Sequence, residues 1–244
     1  MPMKKCALIT GASGGIGSAI ALELAKDFNI VACYNSDENG ASLLAEKLRE
    51  NGADFILCKV DVSDSAQVNK VFADASEKFG GVSVLVNNAG IAQQKLFTDI
   101  TEEEFDRITA VNFKSVFNCC KCAVPYMVSQ KSGKIINISS MWGVCGASCE
   151  TVYSATKAAV IGLTKALGKE LAPSNIQVNC IAPGAIDTKM NNNLSESDKA
   201  DFANEIPAGR FGKPEEIAKT VAFLASEGSD YINSQVITVD GGLI

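Results

Sequence analysis

The sequence contains no histidine, and this absence excludes several kinds of active site at once. Ser-His-Asp and Cys-His catalysis, histidine metal sites and histidine pH switches all need an imidazole group. We therefore expect no metal site. Any acid–base chemistry must depend on tyrosine, lysine, cysteine, aspartate or glutamate.

Positive charge and long apolar runs are also scarce. Lys and Arg number 22 against 28 Asp and Glu, which gives a formal net charge of −6. A nucleic-acid binder needs a basic face, and a helix that spans a bilayer needs about 20 consecutive apolar residues. Because neither pattern occurs along the 244 residues, we expect neither nucleic acid nor membrane as a partner.

Cysteine, by contrast, occurs nine times. Most of these thiols lie within apolar runs, where cysteine packs as a small hydrophobic side chain. Their odd number and the absence of a signal-peptide pattern favour a reducing compartment, and we predict a cytoplasmic protein. Cys119 and Cys122 have a C-x-x-C spacing, but no second ligand pair accompanies them, so we interpret them as helix-packing residues.

The remaining composition is that of a globular protein, with 47% hydrophobic and 20% charged residues. Short apolar runs alternate with amphipathic stretches along the chain. The apolar runs predict strands at residues 6–10, 30–34, 55–60, 82–87, 134–138, 177–181 and 236–239. The amphipathic stretches predict helices at residues 16–27, 41–50, 65–79, 102–130, 151–171 and 214–225.

This alternation predicts an α/β fold: a single Rossmann-type doubly wound parallel sheet of about seven strands, with helices on both faces. No repeat, linker or change in composition divides the chain, so we predict one domain over residues 1–244. Residues 188–206 interrupt the alternation with a polar, asparagine-rich stretch. Because long irregular segments in compact domains are often functional, we predict that this stretch is a substrate lid.

A glycine-rich segment, Thr10-Gly-Ala-Ser-Gly-Gly-Ile-Gly17, lies between the first predicted strand and the first helix. Glycines let the backbone approach a pyrophosphate closely, and the following helix N-terminus offers N–H groups to phosphate oxygens. No Gly-Lys-Ser/Thr follows, which excludes a Walker loop. In its βαβ context the segment predicts a dinucleotide site, with Gly11, Ser13, Gly14, Gly15, Ile16 and Gly17 as candidate residues.

The identity of the dinucleotide depends on the end of the second predicted strand, where Tyr34, Asn35 and Ser36 stand. An acidic residue there binds the ribose hydroxyls of NAD, whereas a basic residue holds the 2′-phosphate of NADP. Tyr34 occupies the place of the acidic residue, so we favour NADP(H). No lysine or arginine is adjacent in the sequence and Gly14 adds no charge. NAD(H) therefore stays the alternative, with Asp37 reaching the ribose.

Tyr153 and Lys157 are four residues apart at the start of a predicted helix, so the phenol and the ammonium group share one face. A tyrosine with an ordinary pKa of about 10 is a poor base at neutral pH, and a neighbouring cation lowers that pKa. Ser140 follows one predicted strand, and the segment 87–90 follows another. Because ligands of doubly wound sheets gather at such strand ends, we expect these side chains in one site.

Taken together, these motifs resemble the short-chain dehydrogenase/reductase family over essentially the whole chain. TGASGGIG at 10–17, NNAG at 87–90, YSATK at 153–157 and PGAIDT at 183–188 occur in the order that the family has, as do Asp61, Asn112 and Ser140. The resemblance implies an NAD(P)-dependent oxidoreductase that interconverts an alcohol and a carbonyl group.

The resemblance also implies a role for each catalytic residue. Tyr153 would protonate the carbonyl oxygen as hydride reaches the carbon, and Ser140 would bind and orient that oxygen. Lys157 would bind the nicotinamide ribose and lower the pKa of Tyr153, and Asn112 would hold a water molecule at a bend in its helix. The further cofactor contacts that it implies are Asp61 and Val62 at the adenine, Asn88, Ala89 and Gly90 at the supporting strand ends, and Pro183, Gly184, Ile186 and Thr188 towards the nicotinamide.

Within the family, the sequence is most similar to bacterial 3-oxoacyl-[acyl-carrier-protein] reductases, through PAGRFG at 207–212, PEEIA at 214–218 and VDGG at 239–242. This similarity implies reduction of a 3-oxoacyl thioester of acyl carrier protein or CoA in fatty acid biosynthesis, by a homotetramer. An acidic carrier protein needs a positive surface near the active-site entrance. Lys131 matches one docking position, whereas Ser174 stands where the subgroup often has arginine.

Two alternatives remain. The segment 141–150 resembles reductases suited to an aminoketone on a modified lysine of elongation factor P, or to another small ketone. Trp142 and Glu150 would then line the substrate pocket, with the carboxylate facing a positive charge, although we favour Glu150 as a cap of the helix that carries Tyr153. The second alternative is a nucleotide-sensing scaffold without catalysis, but such proteins commonly lose the active-site tyrosine or lysine.

Overall fold

Seven parallel strands form one sheet in the computed structural model, which describes residues 4–188 and 195–244. The order across the sheet is β3-β2-β1-β4-β5-β6-β7, and each neighbouring pair is parallel. The predicted doubly wound parallel α/β fold is confirmed. In chain order the strands are β1 (Cys6–Ile9), β2 (Asn29–Tyr34), β3 (Phe55–Lys59), β4 (Val82–Asn87), β5 (Gly133–Ile138), β6 (Ile176–Pro183) and β7 (Val236–Val239).

Helices cover both faces of this sheet. They are α1 (Gly15–Leu24), α2 (Glu38–Glu50), α3 (Ser65–Phe79), α4 (Glu102–Thr109), α5 (Ser115–Gln130), α6 (Trp142–Cys145), α7 (Thr151–Leu171), α8 (Glu196–Glu205) and α9 (Pro214–Ala225). Val71 of α3, Cys119 of α5 and Val160 of α7 pack on one face, and Ile20 of α1 and Val221 of α9 pack on the other. Because central strands such as β1 and β4 are covered on both sides, their sequences are apolar without alternation.

The sheet changes its direction of winding at β1, which pairs with β2 on one side and with β4 on the other. In doubly wound sheets this change opens a crevice at the carboxyl ends of the two central strands, where ligands bind. The glycine-rich segment follows β1 and the Asn-Asn-Ala-Gly segment follows β4. Both segments therefore border this crevice, and the backbone N–H of Asn88 donates a hydrogen bond to Thr10 across it at 2.9 Å.

The helix that the sequence predicts over residues 102–130 is interrupted. A π-helical segment, Ala110–Lys114, separates α4 from α5. The side chain of Asn112 in this segment hydrogen-bonds to Ile91 and Thr156, which belong to distant parts of the chain. Helical periodicity within the sequence does not reveal such contacts, and π-helical turns are frequent at functional sites.

The segment predicted as an irregular lid, residues 188–206, is partly helical. Residues 189–194 lie outside the described residues. After them Ser195 caps α8, because its hydroxyl oxygen accepts a hydrogen bond from the N–H of Asp198 at 3.1 Å while the Asp198 carboxylate bonds back. The polar residues that suggested a loop thus include a capping box. The lid and the single domain over residues 1–244 stay predictions.

Two other properties of the helices bear on function. α6 is a single turn that the sequence pattern does not predict, and it lies between Ser140 and the helix that carries Tyr153. Within residues 4–188 and 195–244, no helix combines the length and the apolar character that crossing a lipid bilayer requires.

Candidate active site

Lys157 is buried in α7, with its ammonium group at the carboxyl ends of the strands. The residue is 4% exposed, and Nζ donates a hydrogen bond to the carbonyl oxygen of Ile138, the last residue of β5, at 3.0 Å. A Cβ atom placed on Gly90 would lie 3.2 Å from Lys157 Nζ and 3.4 Å from Asn112 Oδ1. Three residues that the sequence places in one site, Lys157, Asn112 and Gly90, are therefore close together.

Tyr153 and Ser140 meet beside this ammonium group. The Ser140 side chain lies close enough to the Tyr153 phenol to lower its pKa, and Lys157 Nζ lies 5.7 Å from the centre of the Tyr153 ring. Ser140 Oγ also accepts a hydrogen bond from the backbone N–H of Trp142 at 3.2 Å, which holds the hydroxyl in place at the end of β5. Two hydroxyl donors and a cation form a site suited to a carbonyl oxygen that gains negative charge.

Burial dominates the ionisation of both catalytic candidates. It raises the pKa of Tyr153 to about 12; the Ser140 side chain opposes this increase, and the charge of Glu150 adds a smaller one. Burial also lowers the pKa of Lys157 to about 8. The expected lowering of the Tyr153 pKa is therefore wrong for the chain by itself, because desolvation outweighs the other effects. Tyr153 is a phenol, the form that donates a proton.

Asn112 fixes the segment after β4 against α7. Its Nδ2 donates hydrogen bonds to the carbonyl oxygen of Ile91 at 2.9 Å and to Thr156 Oγ1 at 3.2 Å, and its Oδ1 accepts one from the Ile91 N–H at 2.8 Å. The residue is 1% exposed. Since Thr156 immediately precedes Lys157, these bonds couple the position of Gly90 to the helix that carries the candidate catalytic pair. The water molecule expected at Asn112 stays a prediction.

The glycine-rich segment is packed too closely for side chains. Gly11 has φ of +65°, and a Cβ atom there would lie 3.0 Å from the Cα of Ala89. A Cβ atom on Gly15 would lie 2.9 Å from Cγ2 of Thr188, so the segment after β6 closes over the start of α1. Gly14 at the N-cap of α1 makes no side-chain cap, and the helix begins with backbone N–H groups only. This arrangement fits a bound pyrophosphate.

Thr10 joins the two sides of the crevice, although the motif analysis did not select it. Its Oγ1 accepts hydrogen bonds from the N–H groups of Asn88 at 2.9 Å and Ala89 at 3.0 Å. Asn88 Nδ2 in turn donates to the carbonyl oxygens of Thr10 at 3.0 Å and Gly11 at 3.1 Å. The position of Thr10, directly before the first glycine, was the available signal in the sequence.

The segment after β6 lies at the same crevice. β6 continues through Pro183, beyond the predicted end of the strand, and the Pro183 carbonyl oxygen accepts a hydrogen bond from Met141 N–H at 2.9 Å. Gly184 follows directly, and Ile186 is buried where it forms an isolated bridge with Gly212. The backbone floor, the close approach of Thr188 and the buried Lys157 together fit a nicotinamide dinucleotide that extends from the glycine-rich segment to Tyr153.

Known proteins are similar in sequence to this chain. A family model described as enoyl-(acyl carrier protein) reductase matches residues 11–244. The 3-oxoacyl-[acyl-carrier-protein] reductase of Staphylococcus aureus (strain Mu50) is 43% identical over 244 residues, which cover 100% of this chain and 99% of the relative. The enzymes of that name from Thermotoga maritima and Chlamydia trachomatis are 44% and 40% identical over 246 and 242 residues, with 98% and 99% of this chain and 98% of each relative covered.

The chain belongs to the short-chain dehydrogenase/reductase family. It is therefore an NAD(P)-dependent oxidoreductase that acts on CH–OH and C=O groups.

In this short-chain dehydrogenase/reductase, the end of β2 differs from the expectation that Asp37 could reach a ribose and that no basic residue is near. Asp37 caps α2, since its Oδ1 accepts a hydrogen bond from the Gly40 N–H at 2.9 Å, and this contact directs the carboxylate to the helix. Tyr34 pairs in register with Lys59 of β3, and Lys59 Nζ lies 2.6 Å from Glu38 Oε1. A basic residue thus stands beside Tyr34. The adjacent sequence does not reveal it, because strand pairing brings residue 59 next to residue 34.

The residues assigned to the adenine end follow the strand ends as expected. Asp61 Oδ1 accepts hydrogen bonds from the N–H and the hydroxyl of Ser63, at 2.9 and 2.7 Å, so the carboxylate shapes the turn after β3. Val62 is 8% exposed and packs in the core, while Asn35 and Ser36 are exposed beyond β2. Their contacts with a cofactor stay predictions.

Glu150 occupies the N-cap position of α7, but its side chain makes no capping hydrogen bond. Glu150 therefore stands at the start of the helix, as the capping interpretation requires, but no capping hydrogen bond supports that interpretation. Instead, the carboxyl group is half-buried, its pKa is raised by burial, and its charge raises the pKa of Tyr153. Trp142 is also half-buried. It begins α6 and, like Glu150, precedes Tyr153 in the sequence.

The two positions implied for carrier docking lie near the amino ends of β5 and β6, whereas the candidate active site lies at the carboxyl ends of the strands. Lys131 ends α5 just before β5 begins, and Ser174 directly precedes Asn175, whose Nδ2 donates a hydrogen bond to the Lys131 carbonyl oxygen at 3.2 Å. β5 has 6 residues. A strand of that length separates its two ends by about 20 Å. Within one chain, therefore, Lys131 and Ser174 do not border the site at Tyr153, contrary to the expectation.

Proposed function

We propose that this protein reduces 3-oxoacyl thioesters to 3-hydroxyacyl thioesters with NADPH, as a 3-oxoacyl-[acyl-carrier-protein] reductase. One observation carries the proposal: the hydroxyl groups of Ser140 and Tyr153 meet beside the buried ammonium group of Lys157. Such donors stabilise the negative charge that develops on a carbonyl oxygen during hydride addition. Full-length similarity to three enzymes of this name supports the substrate class.

Tyr153 and Ser140 act on the carbonyl oxygen. The nicotinamide cofactor, when bound, supplies a hydride to the carbonyl carbon. Ser140 Oγ donates a hydrogen bond to the substrate oxygen and orients it, and the Tyr153 phenol gives the same oxygen its proton. The C=O bond is thereby converted to CH–OH, and Tyr153 is left as tyrosinate. The raised pKa keeps the Tyr153 phenol protonated at neutral pH but makes it a weaker acid, so the tyrosinate that forms needs a neighbouring cation to stabilise it.

Lys157 and Asn112 support this proton transfer. The ammonium group, anchored on the Ile138 carbonyl oxygen, stabilises the tyrosinate that forms and binds the nicotinamide ribose. Asn112 positions the Ile91 segment and Thr156 around Lys157 through three hydrogen bonds. In the proposal it also holds a water molecule, through which solvent protons reach Lys157 and then Tyr153.

The cofactor is proposed to extend across the carboxyl ends of β1 and β4. NADP(H) is preferred to NAD(H) because the end of β2 carries Tyr34 in the position where an NAD-binding site has a carboxylate. The residues proposed to hold it are Gly11, Ser13, Gly14, Gly15, Ile16, Gly17, Tyr34, Asn35, Ser36, Asp61, Val62, Asn88, Ala89, Gly90, Tyr153, Lys157, Pro183, Gly184, Ile186 and Thr188.

Acyl carrier protein is the proposed donor of the substrate, with fatty acid biosynthesis in the cytoplasm as the setting and a homotetramer as the working form. Of the two positions that the resemblance implies for docking, which within one chain lie away from Tyr153, only Lys131 is basic, and the net charge of the chain is −6. We therefore expect a smaller preference for the carrier protein over CoA than an enzyme with two basic positions has. Sedimentation of the purified protein as a monomer would contradict the tetramer.

The test compares three thioesters with the purified protein and NADPH or NADH. Acetoacetyl-CoA and acetoacetyl-[acyl carrier protein] report carbonyl reduction, and crotonyl-CoA reports the C=C reduction that the family description names. We expect NADPH-dependent turnover of the two ketones and none of crotonyl-CoA. Turnover of crotonyl-CoA alone, or of no thioester while a nicotinamide dinucleotide still binds, would overturn the proposal.

Glu150 favours a second candidate, the reduction of a small ketone that carries a positive charge, such as an aminoketone on a modified lysine of elongation factor P. The carboxylate is half-buried, makes no capping bond and acts electrostatically on Tyr153. A desolvated carboxylate gains from a nearby cation. We expect Glu150→Gln to lower kcat/KM for an aminoketone and not for its uncharged analogue. Equal effects on both ketones would exclude this candidate.

A non-catalytic scaffold that senses nucleotides is the remaining alternative. It is disfavoured because Ser140, Tyr153, Lys157 and Asn112 are all present and lie together. A protein that binds a dinucleotide and reduces no ketone would favour it.

A further inference from the structure

We infer that Lys59 supplies the positive charge for the 2′-phosphate of NADP(H), and that Glu38 is the counter-charge from which it separates when the phosphate binds. The inference rests on the proposed function in one respect, the use of NADP(H). It adds the residues that select between NADP(H) and NAD(H). Neither residue belongs to the glycine-rich segment or to the end of β2, where sequence motifs place this selection.

The backbone places Lys59 beside the cofactor site. Lys59 is in register with Tyr34, and the N–H of the next residue, Val60, donates a hydrogen bond to the Tyr34 carbonyl oxygen at 2.7 Å. One residue earlier, the Cys33 carbonyl oxygen accepts a hydrogen bond from Ala12 in the glycine-rich segment at 2.8 Å. The strand end that carries Tyr34 is thus bonded on one side to the proposed pyrophosphate site and on the other to Lys59.

Glu38 reaches the same region from α2. It is the first residue of that helix, directly after Asp37 at the N-cap. A Cβ atom on Gly40, in the same turn, would lie 2.6 Å from the carbonyl oxygen of Ser13. The first turn of α2 therefore packs against the glycine-rich segment, which keeps Glu38 at the border of the proposed site.

The Lys59–Glu38 pair is suited to exchange. The two charged atoms are 2.6 Å apart, but the side chains are 59% and 66% exposed. Exposed ion pairs contribute little to stability because water and salt screen them. A phosphate monoester has three acceptor oxygens and a charge of about −1.5 to −2 at neutral pH, which makes it a stronger partner for an ammonium group than one carboxylate.

The charges around the end of β2 make Lys59 the residue on which binding of a 2′-phosphate depends. Gly14 adds no charge in the glycine-rich segment, and Asp37 and Glu38 are both acidic. Without Lys59, a 2′-phosphate beside Tyr34 would meet two carboxylates and no cation from this part of the chain. With Lys59, the balance between its attraction and the repulsion of Glu38 sets the preference for NADP(H) over NAD(H).

The test measures binding of NADP⁺ and NAD⁺ by isothermal titration calorimetry, without a carbonyl substrate. We expect Lys59→Gln to weaken NADP⁺ binding about three- to tenfold, the effect of losing one partly exposed charge-assisted contact, and to leave NAD⁺ binding within twofold. Glu38→Gln should strengthen NADP⁺ binding and have a smaller effect on NAD⁺. Lys59→Arg should retain the preference, and added salt should reduce the difference between wild type and Lys59→Gln.

Lys78→Gln is the matched control. Lys78 Nζ pairs with Asp54 at 2.9 Å with 45% side-chain exposure, at the opposite end of β3 from Lys59. It changes the net charge equally, and we expect no change in the preference. The inference is overturned if Lys59→Gln alters neither dinucleotide, alters both equally, or matches Lys78→Gln. Failure of ketone reduction would refute the proposed function. The role of Lys59 is tested separately, because the dinucleotide binding constants are measured without a ketone.

Discussion

Asn112 and Ile91 hydrogen-bond each other in both directions: the Asn112 amide donates to the Ile91 carbonyl oxygen at 2.9 Å and accepts from the Ile91 N–H at 2.8 Å. This reciprocal pair joins the π-helical segment between α4 and α5 to the chain that follows Gly90. Because the third bond of Asn112 reaches Thr156 on α7, one buried amide sets the distance between the proposed cofactor floor and the helix of Tyr153 and Lys157.

Asn112→Ala should therefore impair catalysis more than it impairs folding. Loss of three hydrogen bonds at a residue that is 1% exposed should lower the free energy of unfolding by about 1–3 kcal/mol. Displacement of the Ile91 segment and of Lys157 should lower kcat by about 10²-fold, since small errors in the position of catalytic groups cost that much. Urea denaturation and steady-state kinetics measure the two effects.

Asn179→Ala provides the control for that substitution. Asn179 is also 1% exposed and also bonds the backbone in both directions, to the Ile232 carbonyl oxygen at 2.7 Å and from the Gln235 N–H at 3.0 Å. It should lose comparable stability and keep kcat. An equal loss of kcat in both variants would show that Asn112 contributes only to folding.

The pH dependence of ketone reduction should report Lys157. Reduction needs protonated Tyr153 and charged Lys157, with pKa values of about 12 and about 8 in the free protein. As pH rises, Lys157 loses its charge first, so kcat/KM should be constant below about pH 8 and then fall, while Tyr153 stays protonated. The guanidinium of Lys157→Arg stays charged, so the fall near pH 8 should be absent in that variant. Persistence of the same fall in Lys157→Arg would assign it to another group.

Glu150→Gln should make alcohol oxidation possible at lower pH. Oxidation uses tyrosinate as the base, so its rate rises with pH towards the raised pKa of Tyr153. Because the charge of Glu150 contributes to that increase, removing it lowers the Tyr153 pKa and moves the pH–rate curve to lower pH. Glu150→Asp keeps the charge and is the control. Coincident curves for wild type and Glu150→Gln would refute the electrostatic contact.

The cysteines should differ sharply in their reaction with iodoacetamide. Burial raises the pKa of Cys6 and of Cys120 to about 12 and also raises that of Cys119, so little thiolate is present at pH 8. Cys145 is exposed and should be alkylated first. Mass spectrometry of the folded protein should find Cys6, Cys119 and Cys120 unmodified until denaturant is added. Their early modification would contradict the packing assigned to β1 and α5.

Much of the fold follows from local sequence, and the exceptions have physical causes. Apolar runs were sufficient to place all seven strands, and they are most continuous in strands such as β1 and β4, which are buried on both faces. Periodicity did not reveal the π-helical turn at Asn112, where only the family resemblance implied a bend, because the turn depends on a contact with Ile91, 21 residues away in the chain. The helix after Ser195 was missed because a capping box has the same polar composition as a loop.

In the candidate site, too, local sequence predicts some features, whereas others depend on strand register or burial. Tyr153 and Lys157 are one helical turn apart, so spacing alone places them together. The position of Lys59 beside Tyr34 depends on strand register, and the behaviour of Glu150 depends on burial. For the chain by itself, spacing also predicts the wrong direction for the pKa of Tyr153, because a sequence reveals a neighbouring cation but not the desolvation of a phenol.

The most direct test of the proposed mechanism compares the turnover rates of wild type and Tyr153→Phe with acetoacetyl-CoA and NADPH. The phenylalanine ring keeps the packing of α7 and removes only the hydroxyl beside Ser140. Wild type should oxidise NADPH in the presence of the ketone, and Tyr153→Phe should be slower by about 10²- to 10⁴-fold with unchanged NADP⁺ binding. Equal turnover by the two proteins would mean that Tyr153 does not donate the proton, and the mechanism at Ser140, Tyr153 and Lys157 would be wrong.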